Sequence, residues 1–200
     1  MARKKSELLS ALGTTFEIVK ALVDEVLNLG GSDGDIRRIL KDEGLRRRIA
    51  ELILVIQDTY EVVVDYSHTL TEMIESCHLD WKNSDIIPEY FPIEGEGCQK
   101  VKVTLFHFNR KMSTEQAASE MEEQGYRPAT LPELLALGAA QPDLQKRFPI
   151  LALGSGWQAP DGHLVFPSLR SDESKRFLSL IWFASGWSRE CRFLAVRRTA

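Results

Sequence analysis

The spacing of apolar residues changes at Thr59, and that change divides the chain. Before it, Leu8, Leu9, Leu12, Phe16, Val19, Leu22, Val23, Val26 and Leu27 recur every three or four residues, the pattern of an amphipathic helix. Gly30-Gly31 supplies the left-handed conformation that ends such a helix. Ser32 or Asp33 opens a second helix carrying Ile36, Ile39 and Leu40, with Gly44 as its expected stop. A third helix buries Leu45, Ile49, Leu52, Ile53 and Ile56. After the change, Tyr60-Glu61-Val62-Val63-Val64-Asp65-Tyr66 is β-branched and aromatic, which favours a strand. The spacing therefore predicts a small helical N-terminal region, 1–56, followed by an α+β domain, 57–200.

Within the second region, Thr69 and Glu72 have capping-box spacing ahead of a short helix. The tract 80–97 holds prolines and glycines and reads as a loop. Val101 to Phe108 alternates as a half-buried strand. Ser113 caps the next helix, which Gly125 ends, and Thr130-Leu131-Pro132-Glu133 opens another. From Phe148 onward helical periodicity stops. Short apolar groups follow at Ile150 to Leu153, Leu164 to Phe166, Leu178 to Trp182 and Cys191 to Val196.

Composition limits the function classes. With 200 residues, 44% hydrophobic and 27% charged, the chain has the make-up of a soluble globular protein. Lys and Arg number 25 against 29 Asp and Glu, a formal charge of -4. That balance disfavours a dedicated nucleic-acid binder, which needs a concentrated cationic face. Arg46-Arg47-Arg48 reads first as a solvated helix face. Three cysteines (Cys77, Cys98, Cys191) are too few for a disulfide scaffold, and a reducing, cytoplasmic location is expected. The longest apolar run, Leu52 to Ile56, falls far short of the about 20 residues a membrane span needs.

Catalytic signatures are absent. His68, His78, His107 and His163 are scattered, and adjacent Cys77-His78 side chains diverge, so no metal site is expected. Gly30-Gly31-Ser32-Asp33-Gly34 lacks a phosphate-neutralising Lys. Ser155 in Leu153-Gly154-Ser155-Gly156-Trp157 misses nucleophile-elbow spacing by one position. Gln141-Pro142-Asp143 spells a calcium-lectin tripeptide but lacks the further ligands an ion requires. No catalytic residue and no cofactor is expected.

Three tracts carry a resemblance: Gly125-Tyr126-Arg127-Pro128-Ala129-Thr130-Leu131-Pro132-Glu133-Leu134-Leu135-Ala136, Leu151-Ala152-Leu153-Gly154-Ser155-Gly156-Trp157, and Gly186-Trp187-Ser188-Arg189-Glu190-Cys191-Arg192-Phe193-Leu194-Ala195-Val196-Arg197. Together they resemble the variable proteins of diversity-generating retroelements, whose C-type-lectin-like fold is of the formylglycine-generating-enzyme type. The resemblance covers roughly 57–200. The paired active-site cysteines of the formylglycine-generating enzymes are missing, since Cys191 is the only cysteine after Cys98.

The resemblance implies a non-catalytic binding protein whose C-terminal surface, about 154–196, is diversified by adenine-directed reverse transcription and recognises a protein ligand. Leu178, Leu180, Trp182, Trp187, Cys191, Phe193 and Ala195 would form the buried frame. Ser179, Ile181, Phe183, Ala184, Ser185, Gly186, Ser188, Arg189 and Glu190 lie between them, and strand alternation turns much of this second set outward. A strand buried on both faces is the competing account of Ile181 and Phe183. Randomising the adenines of an Asn codon ending in C or T excludes Glu, Lys, Gln, Met and Trp, so only Glu190 of that set falls outside the repertoire. Gln158, Ala159, Asp161 and His163 in an earlier loop, and Arg170 and Ser171 in a charged tract, flank the same surface. The N-terminal helices dock a partner, self-associate or pack on the domain. Two rival readings are an altered formylglycine-generating-type enzyme with a polar pocket near Cys191 or His163, and a regulator contacting nucleic acid through Arg37, Arg38 and Arg46 to Arg48.

Overall fold

A computed structural model describes residues 16–54, 56–172, 174–182, 184 and 186–198. The chain forms two units, Met1–Ile53 and Leu54–Ala200. Among the described residues no helix is long and apolar enough to cross a membrane.

In the first unit, α1 spans residues 16–28 and α2 spans Asp33–Lys41; α3, Glu43–Leu54, runs to the unit's boundary. Gly30 ends α1 with φ of 82°, and Gly31 N–H donates to the Val26 carbonyl at 2.9 Å. Ser32 is the cap of α2: its N–H and hydroxyl both donate to Asp35 Oδ2, at 2.9 and 2.7 Å. The expected stop at Gly44 is corrected. The break falls at Asp42, which closes α2 and then accepts from Leu45 N–H at 2.9 Å to start α3. Gly44 thus lies in the first turn of α3, where a missing side chain costs little because that turn is held by its cap. Phe16, Val19, Leu22 and Leu27 on α1 are exposed.

The second unit is a mixed α+β fold around one large sheet. Its strands are β1 (Ile56–Asp65), β2 (Trp81–Lys82), β3 (Cys98–His107), β4 (Tyr126–Pro128), β5 (Ile150–Leu151), β6 (Trp157–Gln158), β7 (Leu164–Asp172), β8 (Lys175–Ile181) and β9 (Arg192–Arg197). The order is β1-β3-β9-β5-β7-β8-β2, with β4 also on β9 and β6 also on β7. Most pairs are antiparallel; β5–β9 and β2–β8 are parallel. Helices α4 (Leu70–Ser76), α5 (Thr114–Glu123), α6 (Leu131–Ala140) and α7 (Leu144–Arg147) complete it. The three caps read from the sequence form reciprocally: Thr69 with Glu72, Ser113 with Gln116, and Thr130 with Glu133.

Both faces of the sheet are covered. One packs Leu70, Met73 and Ile74 of α4 and Leu131, Leu134, Leu135 and Leu137 of α6 against Val103, Leu169, Leu178 and Leu194. The other packs Ala117 and Met121 of α5, with Trp187 and Cys191, against Phe106, Phe166 and Phe193. Glu133 is fully buried yet satisfied, accepting from Arg127 Nη2 at 2.6 Å, Arg127 Nη1 at 3.0 Å and Thr130 N–H at 2.7 Å. It fixes β4 to the first turn of α6.

Candidate ligand-binding surface

Strand register decides which of the expected site residues share a face, because directly opposed residues of an antiparallel pair point to the same side. Gln158 opposes Leu164, Phe166 opposes Ile181, Ser168 opposes Ser179, and Arg170 opposes Phe177. Gln158, Ile181, Ser179 and Arg170 therefore line one face of the β6–β7–β8 ribbon. The segment 182–191 adjoins that face through Trp187, whose ring meets Phe166 edge-on at 5.8 Å.

Ser171 does not join them. It opposes Arg176, on the other face, and its hydroxyl donates to the Lys175 carbonyl at 2.6 Å across the hairpin turn. Ser179 shares the right face but is only 4% exposed, and its hydroxyl accepts from Arg170 Nε at 2.9 Å. Ile181 is half-buried against the Phe166–Trp187 cluster. The simple inward–outward alternation expected for β8 is thus corrected: Leu178 fills one core and Ile181 the other, as in a strand with neighbours on both sides.

The β6–β7 turn holds Ala159, Asp161 and His163. Ala159 N–H donates to the His163 carbonyl at 2.9 Å, and His163 N–H donates to Asp161 Oδ1 at 3.1 Å. The His163 ring stacks on Trp182 with centroids 3.6 Å apart and planes 11° from parallel. Trp182, expected in the buried frame, is corrected to an exposed position: it is 39% and Leu164 52% exposed, so the stack offers apolar area to solvent. On the inner side, Trp157 stacks on Tyr90 at 4.3 Å.

From 182 to 191, buried and exposed residues interleave. Trp187 is 2% and Cys191 4% exposed, whereas Ala184, Ser188, Arg189 and Glu190 are exposed. Phe183 and Ser185 lie outside the described residues. Trp187 is held at three points: its indole N–H donates to Thr114 Oγ1 at 2.9 Å, its backbone N–H donates to the Met112 carbonyl at 2.8 Å, and its carbonyl accepts from Met112 N–H at 3.3 Å.

Gly186 is corrected from a variable position to a structural one. Its φ is 88°, and an added Cβ would lie 2.8 Å from the Met112 carbonyl oxygen. Both features forbid most side chains. Gly186→Ala is expected to lose about 1–3 kcal/mol of stability, read as a shift in the urea midpoint.

His107 fastens the same segment, with Nε2 at 2.9 Å from the Arg189 carbonyl. That contact requires Nε2 to carry the proton, and Nδ1 is buried without a partner. Burial holds the pKa below the ordinary histidine value, assisted by the Arg192 charge and opposed by the Arg189 hydrogen bond. The native state thus favours the neutral ring. This contribution is full above the unfolded pKa and is lost as pH falls through the folded one. Thermal stability is expected to drop between about pH 7 and 5, with a smaller drop in His107→Gln.

The clefts beside α6 and along β3 include neither Cys191 nor His163 in their linings. The Cys191 thiol is buried, and burial raises its pKa. Ser155 Oγ accepts from Leu131 N–H at 2.8 Å, serving the first turn of α6. Among the described residues no group of three His, Cys, Asp or Glu side chains is placed to hold a metal. In the helical unit, Arg37 and Arg38 pair with Asp33 and Asp35, and Arg46 donates to the Ile39 and Leu40 carbonyls. No protein-family model, no curated protein and no solved structure matches the chain.

Proposed function

We propose that residues 57–200 form a C-type-lectin-like domain of the diversity-generating-retroelement type, and that it binds a protein ligand without catalysis. One observation carries the reading: a buried frame of Trp187, Cys191 and Phe193 interrupted by exposed Ala184, Ser188, Arg189 and Glu190. Such a frame lets surface residues change while the core stays constant. The β3–β9 pairing, which brings the last strand back beside an early one with α5 and α6 between them in sequence, supports the same fold. The exposed His163–Trp182 stack and Arg189 supply the aromatic and guanidinium groups common in protein recognition.

Deep sequencing of the gene's 3′ end across a population, together with its flanking DNA, tests this. The expected result is a neighbouring reverse transcriptase, a template repeat and variation at codons 184 and 188–190, with codons 186, 187 and 191 constant. Uniform 3′ ends with no template repeat would overturn the diversified reading.

A further inference from the structure

Three side chains form a row across neighbouring strands at the β2 end of the sheet. Arg170 of β7 opposes Phe177 of β8, and Trp81 of β2 pairs with Phe177 from the other side. Phe177 touches both: the Trp81 ring meets it edge-on at 6.3 Å, and the Arg170 guanidinium lies over its face at 5.8 Å. Asp172 is two residues beyond Arg170 on β7, so it faces the same side about 7 Å further along the strand. A cleft of about 300 Å³ is lined by these four residues and Ser171.

The lining is held from behind. Asp80 N–H donates to the Arg176 carbonyl at 3.0 Å, Arg176 N–H donates to Asp80 Oδ2 at 2.8 Å, and Asn83 N–H donates to the Leu178 carbonyl at 2.9 Å. Trp81 is therefore fixed between bonded residues although it is 48% exposed. Gln145 Nε2 donates to the Arg170 carbonyl at 2.7 Å, and Arg170 Nε donates to Ser179 Oγ at 2.9 Å. The Arg170 and Asp172 side chains are both exposed and share the cleft without forming an ion pair with each other. Lys175, opposite Asp172 across the hairpin, forms none with it either.

A cleft that keeps one cation and one anion apart disfavours ligands of a single charge. A bare ammonium meets Arg170, and a bare carboxylate meets Asp172. A zwitterion finds an opposite partner for each end, and the bonds it makes are charge-assisted. Trp81 and Phe177 add aromatic area beside the two charges. We infer that this cleft binds a free α-amino acid with a large apolar or aromatic side chain. Its carboxylate meets the Arg170 Nη groups, its ammonium meets Asp172, and its side chain lies against Trp81. The site contains none of residues 182–191, so it stands or falls separately from the diversified surface.

The test is isothermal titration of the intact chain with L-phenylalanine, with 3-phenylpropionate, which lacks the ammonium, and with phenethylamine, which lacks the carboxylate. Phenylalanine is expected to bind saturably at one site, and each analogue roughly ten-fold more weakly or worse. Trp81→Ala should weaken phenylalanine about ten-fold. Asp172→Asn should weaken it by about the same factor and bring 3-phenylpropionate closer to it, because the repulsion of the carboxylate is gone. Thermal unfolding of both variants should match that of the unmodified chain, since both positions are exposed. Each of five results would overturn the assignment: no binding of phenylalanine below about 10 mM, equal binding of either analogue, tighter binding of phosphocholine, an unchanged affinity in Trp81→Ala, or an equal loss of phenylalanine and 3-phenylpropionate in Asp172→Asn.

Discussion

Arg176→Met is expected to be among the most destabilising single substitutions in the domain, by roughly 3–5 kcal/mol. Arg176 is 8% exposed. Its guanidinium donates to the Cys77 carbonyl at 2.6 Å, to the Gly138 carbonyl at 2.9 Å, and to Gln145 Oε1 from both Nε and Nη2, at 3.2 and 3.0 Å. Cys77 is the C-cap of α4, and Gly138 lies in the last turn of α6. Two helix C-termini therefore direct carbonyls at one cation, where their dipoles favour positive charge. Asp80 accepts from the Arg176 backbone N–H at 2.8 Å and ties the loop after α4 to β8. Removing the guanidinium leaves several buried acceptors without donors. Arg176→Lys should recover only part of the loss, because an ammonium has three donors in a different geometry. Urea denaturation measures both, and a near-neutral Arg176→Met would show these carbonyls to be hydrated instead.

Trp187→Ala is expected to cost about 3–5 kcal/mol, lowering Tm by roughly 10 °C. The ring is 2% exposed and meets Phe166 and Phe193 edge-on. Truncation opens a cavity in the core beneath α5 and removes the indole bond to Thr114. Trp187→Phe separates the two effects: it keeps most of the packing and loses the hydrogen bond, for a cost nearer 1 kcal/mol. Hydrogen exchange adds a local readout. Trp187→Ala should raise exchange at residues 184–190 more than at β3, because Trp187 joins this segment to the Met112 backbone. Equal protection in variant and parent would mean that 182–191 is held by other contacts.

Local signals in the sequence were reliable where the deciding partner lay within one turn. Thr69–Glu72, Ser113–Gln116 and Thr130–Glu133 each close a cap over three residues, and Gly30 and Gly125 both take positive φ at helix ends. Gly44 misled because glycine is a stop only where no better cap competes, and Asp42 competes two residues earlier. The site was harder to read. Ser171 and Ser179 are assigned to faces by their partners on the hairpin, so alternation along one strand says nothing about which side is covered. Gly186 looked like a free surface position because its neighbour Met112 lies far away in sequence. Arg176 sat unnoticed at the end of a charged tract, since the carbonyls that bind it come from α4 and α6. The frame residues Trp187, Cys191 and Phe193 were legible from their apolarity, but Trp182, placed in the frame on the same ground, is exposed beside His163.

The last strand of the chain is an interior strand of the sheet. β9 has β3 on one side and β4 and β5 on the other. Synthesis proceeds from the N-terminus, so β3, β4 and β5 are made before the strand that joins them. A chain that terminates before Arg192 leaves β3 and β5 unjoined and uncovers Phe106 and Leu151, both fully buried in the finished fold. A frameshift or premature stop upstream of residue 192 thereby removes an interior strand of the sheet rather than a dispensable tail.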